Sequence, residues 1–195
     1  MKKLQVAILA AALAGAGTAS AQVDLTLDSV GSPGNNDYAS VGTVTIVANS
    51  IAPNTGININ ESGVEAGVYN LTVNTVATPS FCIDIADNQS EGTLYNNYSY
   101  TSLALAPNTP AGPMGATAAA TIERLWAQYY APNMTALQAA GLQVAIWEEV
   151  ALGNGTYSLT VSGNTPITQQ AANDITGLNQ TGPEADLVAL VSTAG

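Results

Sequence analysis

The clearest pattern at the start of the chain is an alternation of apolar and polar residues. Val23, Leu25 and Leu27 alternate with polar neighbours, which is typical of a half-buried β-strand. Similar short runs, separated by clusters of Gly, Pro, Asn and Ser, occupy 44–47, 69–73 and 81–85. The segment from Gln22 to about Tyr100 is therefore predicted to form an antiparallel β-sandwich or a barrel-like sheet.

After the Pro- and Gly-rich stretch 107–115, the apolar residues recur at helical spacing instead. The pattern predicts a helical pair over about 116–130 and 135–152. Thr135 with Gln138 forms a capping box at the start of the second helix, and Gly153 is expected to end it. That helix is apolar nearly all round, so it is expected to be buried.

The remaining chain predicts a strand, a shorter helix opened by Thr165 and Pro166, and a last strand at 187–191. Strands outnumber helices. The predicted fold class is therefore α+β, mainly β, with the helical pair inserted into an antiparallel β-sandwich or barrel-like domain.

The N-terminus has the features of a secretory signal peptide. Lys2 and Lys3 precede an apolar run at 6–16, and Ala19-Ser20-Ala21 gives a small-x-small cleavage pattern. Cleavage is predicted after Ala21, leaving a single domain over 22–195. No segment is long enough to span a bilayer as a helix, and the apolar run at 187–191 carries no basic sorting tail. The predicted location is secreted, extracellular or at the cell surface of a bacterium.

Composition removes several function classes. The 195 residues include 14 acidic and three basic residues and no histidine, with a formal charge of −11. Such an acidic chain is a poor partner for nucleic acid. Without histidine there is no Ser-His-Asp or Cys-His catalysis and no imidazole metal site. We expect no metal, no cofactor and no enzyme activity. Removal of the signal peptide would leave Arg124 as the only cation and a formal charge of −13.

One cysteine and one glutamine stand out. Cys82 is the only cysteine, so it cannot form an internal disulfide, and a small buried thiol is its simplest interpretation. If 81–85 is a strand, Phe81 points one way and Cys82 and Asp84 point the other. Gln143 lies on an apolar helix stripe with Trp147, where an unpaired amide would cost about 1–3 kcal/mol. Some group is therefore expected to meet the Gln143 side chain.

Two runs resemble the signatures of bacterial thioester domains. The run 81–84 (FCID) resembles their aromatic-Cys-apolar motif, and the run 142–147 (LQVAIW) resembles their apolar-Gln-x-x-apolar-apolar motif. The wider stretch 122–149 is similar to exported bacterial proteins that carry this pair, many of which end in a PEP-CTERM sorting tail. The resemblance covers roughly 68–192.

The resemblance implies an internal thioester, formed when the sulfur of Cys82 attacks the side-chain carbonyl of Gln143 and ammonia leaves. An amine or hydroxyl of an extracellular protein or glycan surface can then attack, which gives covalent adhesion. Trp147 and Phe81, with Tyr129 or Tyr130, are expected to shield the bond from water, and Asp84 to help move protons. The chain lacks the stalk, sortase signal and PEP-CTERM tail of many such proteins, so a non-reactive cross-link is the other implication.

Three other interpretations stay open. The chain is alternatively a non-covalent carbohydrate- or matrix-binding or structural β-domain with a free or purely structural cysteine. Asp84, Asp87 and Asn88 offer oxygen ligands to calcium but lack the spacing of a dedicated loop. Glu148 and Glu149 resemble half of a hydrolase acid pair, but adjacent helix residues diverge by about 100° and cannot flank one bond.

Overall fold

In the computed structural model, the described residues are 7–11, 22–31, 43–51, 57–86, 89–107 and 112–192. This part of the chain contains nine strands, all paired antiparallel, and three α-helices. The predicted class, α+β and mainly β, is confirmed.

Six strands form a sheet that closes on itself as a barrel in the order β1-β6-β5-β2-β7-β9. Its interior is filled mainly by apolar side chains that alternate inwards, among them Val23, Leu25 and Leu27, as the period-two pattern predicts. The strands are β1 (Ala7–Ala11), β2 (Gln22–Gly31), β5 (Val68–Val73), β6 (Val76–Cys82), β7 (Leu94–Ser102) and β9 (Leu187–Ser192).

A second, three-stranded sheet has the order β4-β3-β8. Its strands are β3 (Thr43–Ser50), β4 (Asn58–Glu65) and β8 (Tyr157–Ser162). Val44 and Ile46 of β3 are buried in the same apolar cluster as Val68 of the barrel and much of the helical layer. The largest apolar core therefore joins both sheets to the helices.

The helices are α1 (Gly115–Tyr129), α2 (Ala136–Asn154) and α3 (Thr165–Thr176), so the predicted helical pair is confirmed. Thr135 and Gln138 make the predicted capping box at the start of α2. The predicted end, at 152 with Gly153 as the stop, is wrong by two residues. The helix runs to Asn154, and Gly155 caps it in the left-handed conformation, with φ of 66°, where glycine meets no Cβ clash.

The α2 helix is the centre of the molecule. Every residue from Ala139 to Trp147 is buried, as expected for a helix that is apolar on all faces. Gly141 permits α3 to approach closely, because a Cβ there would lie 2.7 Å from the Cβ of Gln170. The Gln143 side chain is consequently out of contact with solvent and must find its hydrogen-bond partners within the protein.

The predicted strand over 81–85 is only partly correct. The strand β6 ends at Cys82, and a turn follows at Ile85 and Ala86. Asp84 brings about this change, because its carboxylate accepts a hydrogen bond from the backbone N–H of Ala86 at 2.9 Å, the geometry of an Asx-turn. The residues from Phe81 to Asp84 are all buried.

The predicted signal peptide, 1–21, lies mostly outside the described residues, and so does its cleavage site. Only Ala7–Ala11 of it is described, as the strand β1 between β6 and β9. Signal cleavage after Ala21 stays a prediction. Asp87 and Asn88 of the candidate calcium set also lie outside the described residues.

None of the helices in the described ranges combines the length and apolar character needed to cross a membrane.

Replacing Thr135 with Ala should lower the free energy of unfolding by about 1 kcal/mol, because α2 loses the hydroxyl that accepts from the Gln138 N–H. Urea unfolding of the variant and the parent measures the difference. Thr135→Ser keeps the hydroxyl and should retain most of the stability. Equal losses in the two variants would contradict the role of the cap.

Candidate functional site

The side chain of Gln143 is paired with the backbone of Cys82 through two hydrogen bonds. The Cys82 N–H donates to Gln143 Oε1 at 2.8 Å, and Gln143 Nε2 donates to the Cys82 carbonyl at 2.8 Å. The N–H can only donate and the carbonyl can only accept, so this pairing fixes which end of the amide is oxygen. The sequence prediction that a group must meet Gln143 is confirmed, and that group belongs to Cys82.

Burial makes this pairing energetically important. Gln143 is 0% exposed and Cys82 is 4% exposed. In such an environment an unpaired amide or backbone group costs about 1–3 kcal/mol, so the two bonds hold the amide of α2 firmly against the end of β6. The amide carbonyl of Gln143 and the thiol of Cys82 therefore belong to one buried cluster.

The thiol is held in its protonated form. Cys82 Sγ donates to the backbone carbonyl of Asp84 at 3.3 Å. Burial raises the pKa of the thiol to about 12, and the nearby Asp84 carboxylate contributes to the increase. The Asp84 backbone and the nearby polar side chains of Trp147 and Tyr69 oppose this rise in pKa without cancelling it.

Two aromatic residues that bear O–H groups lie near the thiol. Burial, with the neighbouring Cys82, raises the pKa of Tyr69 well above its usual value. Burial also raises the pKa of Tyr157, and the nearby Asp84 carboxylate and Cys82 side chain add to that effect. The hydroxyl of Tyr157 has no hydrogen-bond partner within the described part of the chain. Both phenols are therefore neutral near pH 7, and each carries a proton it can donate.

A cavity of about 250 Å³ leads to this cluster from the surface, between the barrel and the three-stranded sheet. Tyr69, Cys82 and Trp147 line it, together with the exposed β4 residues Ser62 and Gly63 near its mouth. The indole Nε1 of Trp147, a residue that is only 2% exposed, finds no hydrogen-bond acceptor among the described residues. The thiol is thus buried, but it lines a cavity that opens to solvent.

Carboxylates line the same cavity. Glu61 and Glu65 of β4 and Glu91 of the 89–93 loop contribute to its wall, and Asp84 lies among its inner residues. Arg124, the only cation outside the predicted signal peptide, does not line it and instead pairs with Glu184. No cation among the described residues lines the cavity, so its carboxylates give it a negative potential.

Phe81 lies on the other side of β6, away from this cavity. It packs edge-on against Trp126, with ring centroids 5.4 Å apart, and against Tyr130 at 6.5 Å. These rings cover the Cys82 region from the side of α1. Tyr129, the other aromatic considered from the sequence, packs near Gly177 and is not part of this cluster.

Of the other acidic residues considered from the sequence, Asp84 lies at the cavity and Glu148 and Glu149 do not. The structure brings Asp84 next to the thiol through its backbone as well as its charge. Glu148 and Glu149 of α2 are partly buried, and burial raises the pKa of both, but neither lines the cavity. No group of three or more His, Cys, Asp or Glu side chains within the described ranges is arranged to hold a metal ion.

Sequence reasoning missed Tyr69, Tyr157 and the acidic wall of the cavity. Tyr69 belongs to a strand that was predicted, but its proximity to Cys82 depends on the pairing of β5 with β6, where Tyr69 lies opposite Ser80. No short motif encodes that register. The strand β4, which carries Glu61 and Glu65, has weak alternation: its second residue and its last two are partly buried, and its middle is exposed.

Comparisons of the chain with models of protein families, with curated proteins and with solved structures found no match.

The Cys82 thiol should react with iodoacetamide far more slowly in the folded Gln143→Ala protein than in the same protein unfolded in urea. A pKa of about 12 leaves about a thousandfold less thiolate at pH 8 than the ordinary pKa of about 8.5. The alkylation rate of the folded protein should keep rising up to about pH 11, whereas that of the unfolded chain levels off near pH 9. A folded-state rate that also levels off near pH 9 would contradict a raised thiol pKa.

Proposed function

We propose that the Cys82 sulfur and the Gln143 side-chain carbonyl form an internal thioester, through which an exported protein attaches covalently to an amine-bearing surface. The observation that supports this most is the doubly hydrogen-bonded, fully buried Gln143 amide held against Cys82. A cavity that reaches the same residue gives a partner access to the bond.

The hydrogen bonds suit the formation of the bond. When the sulfur attacks the amide carbon, negative charge develops on Oε1, and the Cys82 N–H already donates to that atom at 2.8 Å. The carbon–nitrogen bond then breaks, the thiol proton passes to the departing nitrogen, and ammonia leaves. Thiol and amide thereby become thioester and ammonia, with no outside reactant and no histidine.

The raised thiol pKa has a role in this scheme. A thiol that stays protonated near neutral pH is a weak nucleophile, so formation of the bond is slow. The same property makes the thiolate a poor leaving group in water, which slows hydrolysis. Burial of Cys82 among Trp147 and Tyr69 thus protects the bond until a positioned nucleophile arrives.

Charge in the cavity favours an amine over a hydroxyl. Glu61, Glu65 and Glu91 attract a cationic ammonium group and raise its local concentration. One carboxylate then accepts a proton, the free amine attacks the thioester carbonyl, and the carbon–sulfur bond breaks. The products are an amide through Gln143 and the Cys82 thiol. A lysine side chain of an extracellular protein has the reach and charge for this reaction.

A structural role is the alternative function. The Gln143 amide satisfies the backbone of Cys82 at the end of β6, and this by itself fastens α2 to the barrel. In that case the cavity is a non-covalent binding site for a carbohydrate or matrix component, and the thiol remains free. The two functions predict different masses for the protein, because only the thioester requires the loss of ammonia.

The exported protein should be lighter than its sequence mass by one ammonia, because thioester formation releases it. Intact-mass spectrometry of the protein recovered from the culture medium measures the loss. Cys82→Ala and Gln143→Ala should each abolish it. Gln169→Ala alters an exposed glutamine of α3 and is the matched control, so the loss should remain. Full sequence mass with alkylation of Cys82 would refute the thioester.

Replacing Glu61, Glu65 and Glu91 with Gln should slow the reaction with a lysine-containing peptide about tenfold and reduce its salt dependence. The reaction with hydroxylamine, which is uncharged near pH 7, should change little. Rates follow from the adduct mass on Gln143. A control with the same charge change outside the cavity should keep the parent rate; its substitutions are Asp24→Asn, Glu123→Gln and Asp186→Asn. An unchanged lysine rate in the cavity variant would exclude electrostatic selection.

A further inference from the structure

The strand that closes the barrel belongs to the predicted signal peptide. Ala7–Ala11 pairs with β6 on one side, where Ile8 lies opposite Cys82, and with β9 on the other, where Ala7 lies opposite Val191. The other partners of these strands are β5 for β6 and β7 for β9. Removal of 1–21 therefore leaves two facing strand edges, which we call the β6/β9 slot.

The predicted mature chain has no residues before β2 that could occupy this slot. Its first residue, Gln22, is already the first residue of β2 and lies opposite Ser99 of β7. The backbone N–H and C=O groups of β6 and β9 that pair with β1 consequently lose their partners when the leader is removed, whereas those of Cys82 keep their bonds to Gln143. Unpaired strand edges of this kind are templates for pairing with another chain.

The sequence of β6 is that of an edge strand. Pro79 lies in the middle of Val76–Cys82, and proline, which lacks a backbone N–H, is confined in sheets to edges, strand starts and bulges. Pairing with β1 runs only from Cys82 to Ser80 and stops at Pro79. The slot is therefore short. On β9 it spans five residues, Leu187 to Val191. On β6 it spans three, of which Cys82 already pairs its backbone N–H and C=O with Gln143, so hydrogen bonds to an incoming strand come from Phe81 and Ser80.

Chemistry along the slot defines its occupant. Neither Val76–Cys82 nor Leu187–Ser192 contains a charged residue, and most of their side chains are buried. A charged strand would lose its hydration there without an ion partner. An uncharged segment of about five apolar or small residues without proline fits these edges.

We propose that the mature protein is a strand acceptor, in which the β6/β9 slot binds an extended, uncharged apolar segment of another protein, antiparallel to both strands. The incoming strand runs beside Cys82, because the register of the slot places one of its residues opposite this position. Binding at the slot does not require the thioester, so the two proposals succeed or fail separately.

The probe is a synthetic peptide with the sequence of residues 5–13, flanked by lysines for solubility. The receptor is the chain 22–195 carrying Cys82→Ala, which has no thioester. Hydrogen exchange followed by mass spectrometry should show that the peptide slows exchange of the β6 and β9 amides about tenfold or more, and the melting temperature should rise. A peptide with Leu9→Pro is the matched control and should have no effect.

A second control is the unprocessed chain 1–195 made without export, whose slot its own leader fills; it should not respond to the peptide. Three results would overturn the proposal. The first is unchanged hydrogen exchange at β6 and β9 when the peptide is added to 22–195. The second is full protection of both strand edges in 22–195 without peptide, through direct pairing of β6 with β9 or through dimer formation. The third is an exported protein whose mass still includes residues 1–21.

Discussion

The arrangement depends above all on one buried polar group, the side-chain amide of Gln143. It lies in the middle of a helix whose residues from Ala139 to Trp147 are all buried, so water cannot satisfy it. In the observed position of α2, this amide is satisfied by the backbone N–H and C=O of Cys82. That pairing fixes the helix against the end of β6 and brings the thiol, Tyr69 and Trp147 to one place.

Much of this could be predicted from the sequence, because it follows from local periodicity. The alternation at Val23, Leu25 and Leu27 indicated a strand, and the all-apolar stretch after Thr135 indicated a buried helix. Gln143, a polar residue on the apolar face of that helix, indicated that a buried hydrogen-bond partner must lie opposite it. The end of β6 at Cys82 was not predictable from periodicity, since Ile83 and Ile85 continue the alternation while the Asp84 side chain forms a turn.

Features that depend on pairing between distant strands escaped prediction for a different reason. The acidic wall of the cavity requires β4 to lie beside β3, and the position of Tyr69 requires the register of β5 against β6. Neither is encoded within a short window. Composition nevertheless gave the sign of the charge in the cavity, because a chain with 14 acidic residues and one cation outside the predicted signal peptide has few ways to neutralise it.

A crystal structure of the protein recovered after export tests the central claim most directly. Electron density continuous from Cys82 Sγ to Gln143 Cδ, at the length of a carbon–sulfur single bond and without density for Nε2, is the result that an internal thioester predicts. Separate thiol and amide groups, with Gln143 Nε2 still donating to the Cys82 carbonyl, would contradict it and leave the amide with a structural role alone.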